Sequence, residues 1–194
     1  MSLMKKQKWI LSSLISLFLI INFFIPTSSN SKEKTVSLKS SLFGKVKIID
    51  GDTIIIRHWM PKDKIFKNFK VRLFGIDAPE KKQICKDRNN KDYNCGIKSS
   101  ESLKRIIENK NVLCVHDNVD IYGRILGICG VESIVEEESY WIWLNAYMVT
   151  TGDAVAFLKY SKKYLYHESV AKNLKLGIWQ GEFDMPWEWR KKNK

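Results

Sequence analysis

The sequence predicts an α+β protein of mainly β character, a small five-stranded barrel with about three helices. Three observations carry this. Apolar segments of strand length recur between polar turns, at Leu42–Ile49, Thr53–Trp59, Phe69–Ile76, Val112–His116 and Arg124–Val131. The turn joining the first two, Ile49-Asp50-Gly51-Asp52-Thr53, sets Asp-Gly between hydrophobic runs, a strong hairpin signal. One amphipathic segment falls between the third and fourth strands, so strands and helices do not alternate as in a parallel sheet. Short antiparallel strands with a helix at that place fit a Greek-key barrel, the OB-fold arrangement.

In chain order, the first strand has apolar positions at Phe43, Val46 and Ile48, and Thr53–Trp59 is its hairpin partner. Met60–Asn68, with Pro61 and several lysines, reads as a turn. Beyond the third strand, Pro79 donates no ladder hydrogen bond and holds the residue before it extended. Asp77 should therefore close a strand and Glu80 should stand in the turn past it. Lys81–Asn94 is polar and reads as a loop. Ile97, Leu103, Ile106 and Ile107 fall at helical spacing, giving a helix over Ile97–Asn109. Asp117–Gly123 connects the last two barrel strands, Glu132–Ser139 is an acidic turn, and Tyr140–Trp143 is a short extra strand. Leu144–Thr150 is a short helix stopped near Gly152. Ser161–Leu176 is the final helix, with Leu165, Val170 and Leu174 on its apolar face and Gly177 as its cap. The aromatic tail, Ile178-Trp179 and Pro186-Trp187-Glu188-Trp189, should pack back on the body.

The chain of 194 residues carries a formal charge of +12. Lys5, Lys6 and Lys8 precede an apolar run over 9–26, followed by small polar residues. Residues 1–29 thus read as a cleaved export signal or an uncleaved anchor, either of which carries the body across a membrane. A lysine-rich spacer over 30–40 follows, and 41–194 form the domain. Residues 1–29 hold three lysines and no acids, so the remainder keeps +9 and the basic character belongs to the folded part. That balance favours a polyanionic partner, with a lysine-rich solvated surface as the plain alternative.

Cys85, Cys95, Cys114 and Cys129 lie in the exported body, where disulfides are permitted. Of the three connectivities, Cys85–Cys95 would close the short polar loop and Cys114–Cys129 would join two neighbouring strands. There is no Cys-x-x-Cys, and His58, His116 and His167 are scattered, which argues against a zinc site. Two carboxylate-bearing strand ends plus Arg72 instead suit a hard cation beside an anion. Arg72 inside an apolar strand is costly unless paired. Asp50 reads as a turn former, Asp120 as structural, and Lys81-Lys82 as a solvated face.

Ile49-Asp50-Gly51-Asp52-Thr53, Arg72-Leu73-Phe74-Gly75-Ile76-Asp77-Ala78-Pro79-Glu80 and Asp120-Ile121-Tyr122-Gly123-Arg124 together resemble the staphylococcal nuclease family in order and spacing, as does the closing Gly177-Ile178-Trp179. The resemblance covers about residues 42–180. The four cysteines and the Pro-Trp-Glu-Trp tail look like its exported bacterial branch. It implies an OB-fold nuclease, monomeric, that uses Ca²⁺ to hydrolyse DNA and RNA with little sequence preference and leaves 3′-phosphate ends. By motif, Asp52 and Asp77 would be the calcium carboxylates and Ala78 would lend its carbonyl. Family members often have Thr where this chain has Ala78, a change that a carbonyl ligand tolerates. Arg72 and Arg124 would bind phosphate, Glu80 would orient or deprotonate the attacking water, and Tyr122, Phe157 and Tyr160 would lie near the nucleotide. The competing expectations are a catalytically silent OB module that binds single-stranded nucleic acid through a basic groove and aromatics, and a membrane-anchored basic adaptor. All of these site roles require two distant acidic turns and two guanidinium groups to meet in space.

Overall fold

The computed structural model describes residues 40–194, so the expected leader over 1–29 and all but the last residue of the spacer lie outside the described residues. Five strands close the barrel: β1 (Ser41–Ile48), β2 (Thr53–Met60), β3 (Ile65–Leu73), β7 (Val112–Val119) and β8 (Ile125–Val135). Their order is β3-β2-β1-β7-β8, and a parallel pairing of Val71, Arg72 and Leu73 with Ile125, Leu126 and Gly127 closes the ring. The other barrel pairs are antiparallel. β9 (Glu138–Trp143) extends β8 as a hairpin. The OB-fold expectation is met.

Inward positions alternate with outward ones, as a half-buried strand requires. Ile54, Ile56, Val71, Leu73, Val112 and Val131 fill the barrel. Leu103 and Ile107 of α1 (Cys95–Ile107) and Leu144, Met148 and Val149 of α2 (Leu144–Thr150) join the same core. Asn94 caps α1, its side-chain oxygen accepting the Ile97 amide at 2.8 Å. Buried Asn145 of α2 is fully used. Its Oδ1 accepts the Cys129 amide at 2.9 Å, and its Nδ2 donates to the carbonyls of Phe74 at 3.0 Å and Gly127 at 3.1 Å.

Several boundaries differ from the sequence reading for identifiable reasons. The turn expected over Met60–Asn68 is mostly strand, with Met60 paired to Ile65. This ribbon projects beyond the core, where cross-strand contacts such as Trp59 with Phe66 (5.0 Å) and Arg57 over Phe66 (4.5 Å) replace burial. The third strand breaks at Gly75, whose positive φ turns the chain into β4 (Ile76–Asp77). The polar loop over Lys81–Asn94 contains a small ribbon, β5 (Ile84–Lys86) and β6 (Asp92–Asn94). β10 (Val155–Ala156) pairs with β4. The disulfides are Cys85–Cys95 and Cys114–Cys129, as expected.

The final helix expected over Ser161–Leu176 is only α3 (Leu165–Asn173). Gly177 does not cap it. A Cβ on Gly177 would lie 2.2 Å from the Gly152 carbonyl oxygen, and its place is a close backbone crossing at the start of a 3₁₀ turn (Gly177–Gln180). The tail packs back as expected and adds a fourth helix, α4 (Pro186–Lys192), with Pro186 in its first turn.

Candidate active site

Two acidic turns far apart in sequence meet on one guanidinium. In the first, Asp50 Oδ1 accepts the Asp52 amide at 3.0 Å, so Asp50 forms the turn that presents Asp52. In the second, Asp77 closes β4 and is held in register with Val155. Arg72 leaves the outer face of β3, because Val71 and Leu73 on either side are fully buried. Its Nη1 donates to Asp52 Oδ1 at 2.6 Å and its Nη2 to Asp77 Oδ1 at 2.6 Å. Asp52 also accepts from the Thr53 hydroxyl at 2.8 Å and, on Oδ2, from the Ala78 amide at 3.0 Å. Ala78 therefore ties the second turn to the first through its N–H.

Both carboxylates are nearly inaccessible, Asp52 at 3% and Asp77 at 0% exposure. Burial pushes both carboxyl groups above the usual carboxylate range; Arg72 beside Asp52, and Arg190 with Arg72 beside Asp77, pull them back. Burial acts to lower the Arg72 guanidinium, and its two carboxylate partners outweigh that, so its net direction is upward. Charge-assisted forks of this kind are the strong hydrogen bonds of proteins.

Glu80 stands in the turn after Pro79, half exposed. Buried Gln83 holds this turn: its side-chain oxygen accepts the Glu80 amide at 3.2 Å, and its backbone N–H donates to the Glu80 carbonyl at 2.7 Å. The first turn of α1 packs directly beneath. A Cβ on Gly96 would fall 1.8 Å from the Glu80 carbonyl oxygen, so only glycine permits the approach.

A residue that the sequence reading missed completes the cluster. Arg190, on α4, spans Asp77 and Glu80. Its Nη2 donates to Asp77 Oδ2 at 2.7 Å, and its Nη1 to Asp77 Oδ1 at 3.1 Å and to Glu80 Oε1 at 2.8 Å. The available signal was Trp187 and Arg190 at i and i+3 behind a helix-starting proline, a spacing that puts both on one face.

Arg124 is placed differently. Register in the parallel pair sets Leu126 beside Arg72, so Arg124, two residues earlier, shares the outer face of the barrel. Its guanidinium touches none of the three acids. Its Nε donates to Asp120 Oδ2 at 2.7 Å, and its Nη2 pairs with the same oxygen at 2.7 Å. Asp120 also accepts the amides of Tyr122 and Arg124, each at 2.9 Å, which builds the turn. For Asp120, partial burial pushes its carboxyl up, and these hydrogen bonds outweigh that and leave it below the usual range. Tyr122 is exposed, its ring 5.5 Å from the Arg124 guanidinium carbon. Phe157 lies edge-on to Tyr160 at 4.9 Å and stacks on Trp187 at 5.5 Å, so one of its faces is covered by the tail.

The donor chemistry suits a hard cation. Asp52 Oδ2 and Asp77 Oδ2 each carry a single hydrogen bond and keep acceptor capacity. The four cysteines are consumed in disulfides. Among the described residues no three His, Cys, Asp or Glu side chains form a closed metal cluster. An ion here would draw further oxygens from backbone, water or substrate, as calcium and magnesium sites do.

The family model "Staphylococcal nuclease homologue" matches residues 70–181, more than half of the chain. The chain belongs to the staphylococcal nuclease family. The matched span includes Arg72, Asp77, Glu80 and Arg124, begins after Asp52 and ends before Arg190. An uncharacterized endonuclease of Haemophilus influenzae is 30% identical over 194 residues, 98% of this chain and 89% of that protein. One from Escherichia coli is 30% identical over 148 residues, 75% of this chain and 82% of that protein. The succinoglycan biosynthesis protein ExoI of Rhizobium meliloti is 29% identical over 143 residues, 73% of this chain and 66% of that protein.

Proposed function

We propose that this staphylococcal nuclease family member is a Ca²⁺-dependent phosphodiesterase that cuts DNA and RNA with low sequence preference, leaves 3′-phosphate ends, and works outside the cytoplasm as a monomer. That it is a nuclease hydrolase follows from its family and the endonucleases among its relatives. The observation that carries the finer reading is the meeting of buried Asp52 and Asp77 on the Arg72 fork, beside Glu80. Asp52 and Asp77 would hold the ion, with the Ala78 carbonyl as a further oxygen. When bound, Ca²⁺ would offset the phosphodiester's charge and polarise its phosphoryl oxygen.

The protein's own groups do the rest. Arg72 binds phosphate oxygens through the same planar fork that now holds the two aspartates, and it keeps its charge as negative charge builds at phosphorus. Glu80 accepts the proton of the attacking water; it is the most exposed of the three acids and so the one that solvent reaches. Arg124, poised on the same outer face, supplies the second phosphate clamp once Asp120 shares it. Tyr122 and Tyr160, both exposed, offer rings beside the chain of bases. The leader over 1–29, read as an export signal or as an anchor through 9–26, accounts for export, and two disulfides suit an oxidising compartment.

The deciding assay is digestion of supercoiled plasmid and of an RNA oligonucleotide by the full chain with Ca²⁺ and with EDTA, with end-group analysis of the products. Cleavage with Ca²⁺ alone and 3′-phosphate ends are expected. Binding of single strands without cleavage in any divalent ion would overturn the reading in favour of a silent OB module.

A further inference from the structure

The C-terminal helix enters the site already described. α4 is fixed at three places. Lys86 donates its amide to the Glu182 carbonyl at 2.8 Å, and buried Gln83 donates from its side chain to the Asp184 carbonyl at 2.7 Å. Trp187 stacks on Phe157 with an interplanar angle of 11°. Two of these anchors also hold the acidic turns. Gln83 holds the Glu80 amide. Phe157 directly follows β10, the strand that pairs with Asp77, and its amide donates to the Gly75 carbonyl at 2.9 Å. The helix is therefore referenced to the same two segments that carry Asp77 and Glu80. Arg190, one turn beyond Trp187, bridges those two carboxylates.

This geometry does two things. Glu80 is half exposed, and a carboxylate in that position samples several rotamers unless something holds it. The Arg190 fork fixes it at 2.8 Å and ties it to a wholly buried partner. The same fork occupies both oxygens of Asp77, whose Oδ1 is already shared with Arg72. A divalent ion at Asp77 must share those oxygens with a neighbouring positive charge.

We propose that Arg190 is a positioning residue of the active site: carried in on the C-terminal helix, it fixes the Glu80 carboxylate against Asp77 and weakens the hold of Asp77 on a divalent cation. The proposal rests on the nuclease reading above. An arginine that merely clasped the tail to the barrel would alter neither metal affinity nor turnover.

The test uses the full chain as wild type, Arg190→Ala and Arg190→Lys. Ca²⁺ binding is measured by calorimetry without nucleic acid, and steady-state cleavage is measured on a single-stranded oligonucleotide. Arg190→Ala is expected to bind Ca²⁺ about tenfold more tightly, the scale on which one adjacent charge alters a carboxylate's equilibria. Its kcat should fall by about 10- to 100-fold, as for other residues that orient a reacting group, with KM within about threefold of wild type. Arg190→Lys should keep wild-type Ca²⁺ affinity and regain only part of kcat, because an ammonium cannot bridge two carboxylates as a fork does. Unchanged Ca²⁺ affinity or unchanged kcat in Arg190→Ala would overturn the proposal. If that variant does not fold, full turnover in Arg190→Lys would overturn it. Should the wild type fail to cleave at all, the nuclease reading fails separately. The calcium titration then still decides whether Arg190 stands on the ion's ligands.

Discussion

Replacing Arg72 with methionine keeps an unbranched apolar stem and removes the guanidinium with its charge. It leaves Asp52 and Asp77, 3% and 0% exposed, without the guanidinium that joins them. Removing one partner of a buried ion pair costs about 3–5 kcal/mol. Here the lower end applies. Arg72 retains 15% side-chain exposure, Arg190 stays on Asp77, and the Ala78 amide and Thr53 hydroxyl stay on Asp52. The expected loss is thus about 3 kcal/mol, a large share of the roughly 5–15 kcal/mol typical of folded domains. A ligand that binds only the folded state at 100 times its Kd returns about 2.7 kcal/mol. The assay is urea unfolding of Arg72→Met with EDTA and with saturating Ca²⁺, disulfides intact. The midpoint should fall sharply in EDTA at unchanged slope and recover most of the difference with Ca²⁺. A loss below about 1 kcal/mol in EDTA, or no recovery with calcium, would refute the reasoning.

Other consequences can be checked alongside. Glu80→Gln should abolish DNA cleavage while calorimetry finds Ca²⁺ and nucleotide binding retained; full activity would remove Glu80 from the mechanism. The Tyr164 hydroxyl is buried with no hydrogen-bond partner among the described residues, and burial pushes it up to about 12 from 10. The folded state thus holds this proton after the unfolded chain has released it, so stability is lost as pH rises from about 10 to 12. Tyr164→Phe should flatten that alkaline decline in unfolding midpoints and change neutral stability by no more than about 1 kcal/mol. Asn145→Ala strands the buried Cys129 amide and Phe74 carbonyl, while the Gly127 carbonyl keeps the Phe74 amide at 2.8 Å. At about 1–3 kcal/mol per stranded group, denaturant melts should show a loss of about 4 kcal/mol.

What was legible in the sequence followed from local rules. The Asp50-Gly51 turn, the strand stop before Pro79 and the strand-length apolar runs at Thr53–Trp59 and Phe69–Ile76 each follow from neighbouring residues alone. Arg72 was legible because an unpaired guanidinium between two core positions is expensive, and the two aspartates were the partners on offer. The start of β3 over Ile65–Asn68 was not legible, since it lies outside the core and all four residues are exposed, so no inside–outside alternation marks it. Arg190 was hidden for a different reason. The tail's helical start can be read from Pro186, but what it docks on depends on Gln83 and Phe157, residues 107 and 33 positions away from Arg190 that no local rule links to the tail. Arg124 shows the converse limit: its motif was read from local sequence, and that same short turn supplies Asp120, which takes its guanidinium.

The charge balance of the cluster explains why the tail can share the site. Asp52, Asp77 and Glu80 face Arg72 and Arg190, leaving a single formal negative charge in a poorly hydrated corner. Burying like carboxylates together is unfavourable without such compensation, as the upward push on Asp52 and Asp77 indicates. With Arg72 alone the cluster would carry two negative charges and would match a divalent cation, but nothing positive would then remain for the phosphodiester. With Arg190 as well, a divalent cation would turn the cluster to one positive charge, the complement of one phosphodiester link. The second guanidinium thus sets the sign of the cluster once an ion is bound, and the cost falls on the cation, which is why the calcium titration of Arg190→Ala is the sharper of its two readouts and KM the weaker.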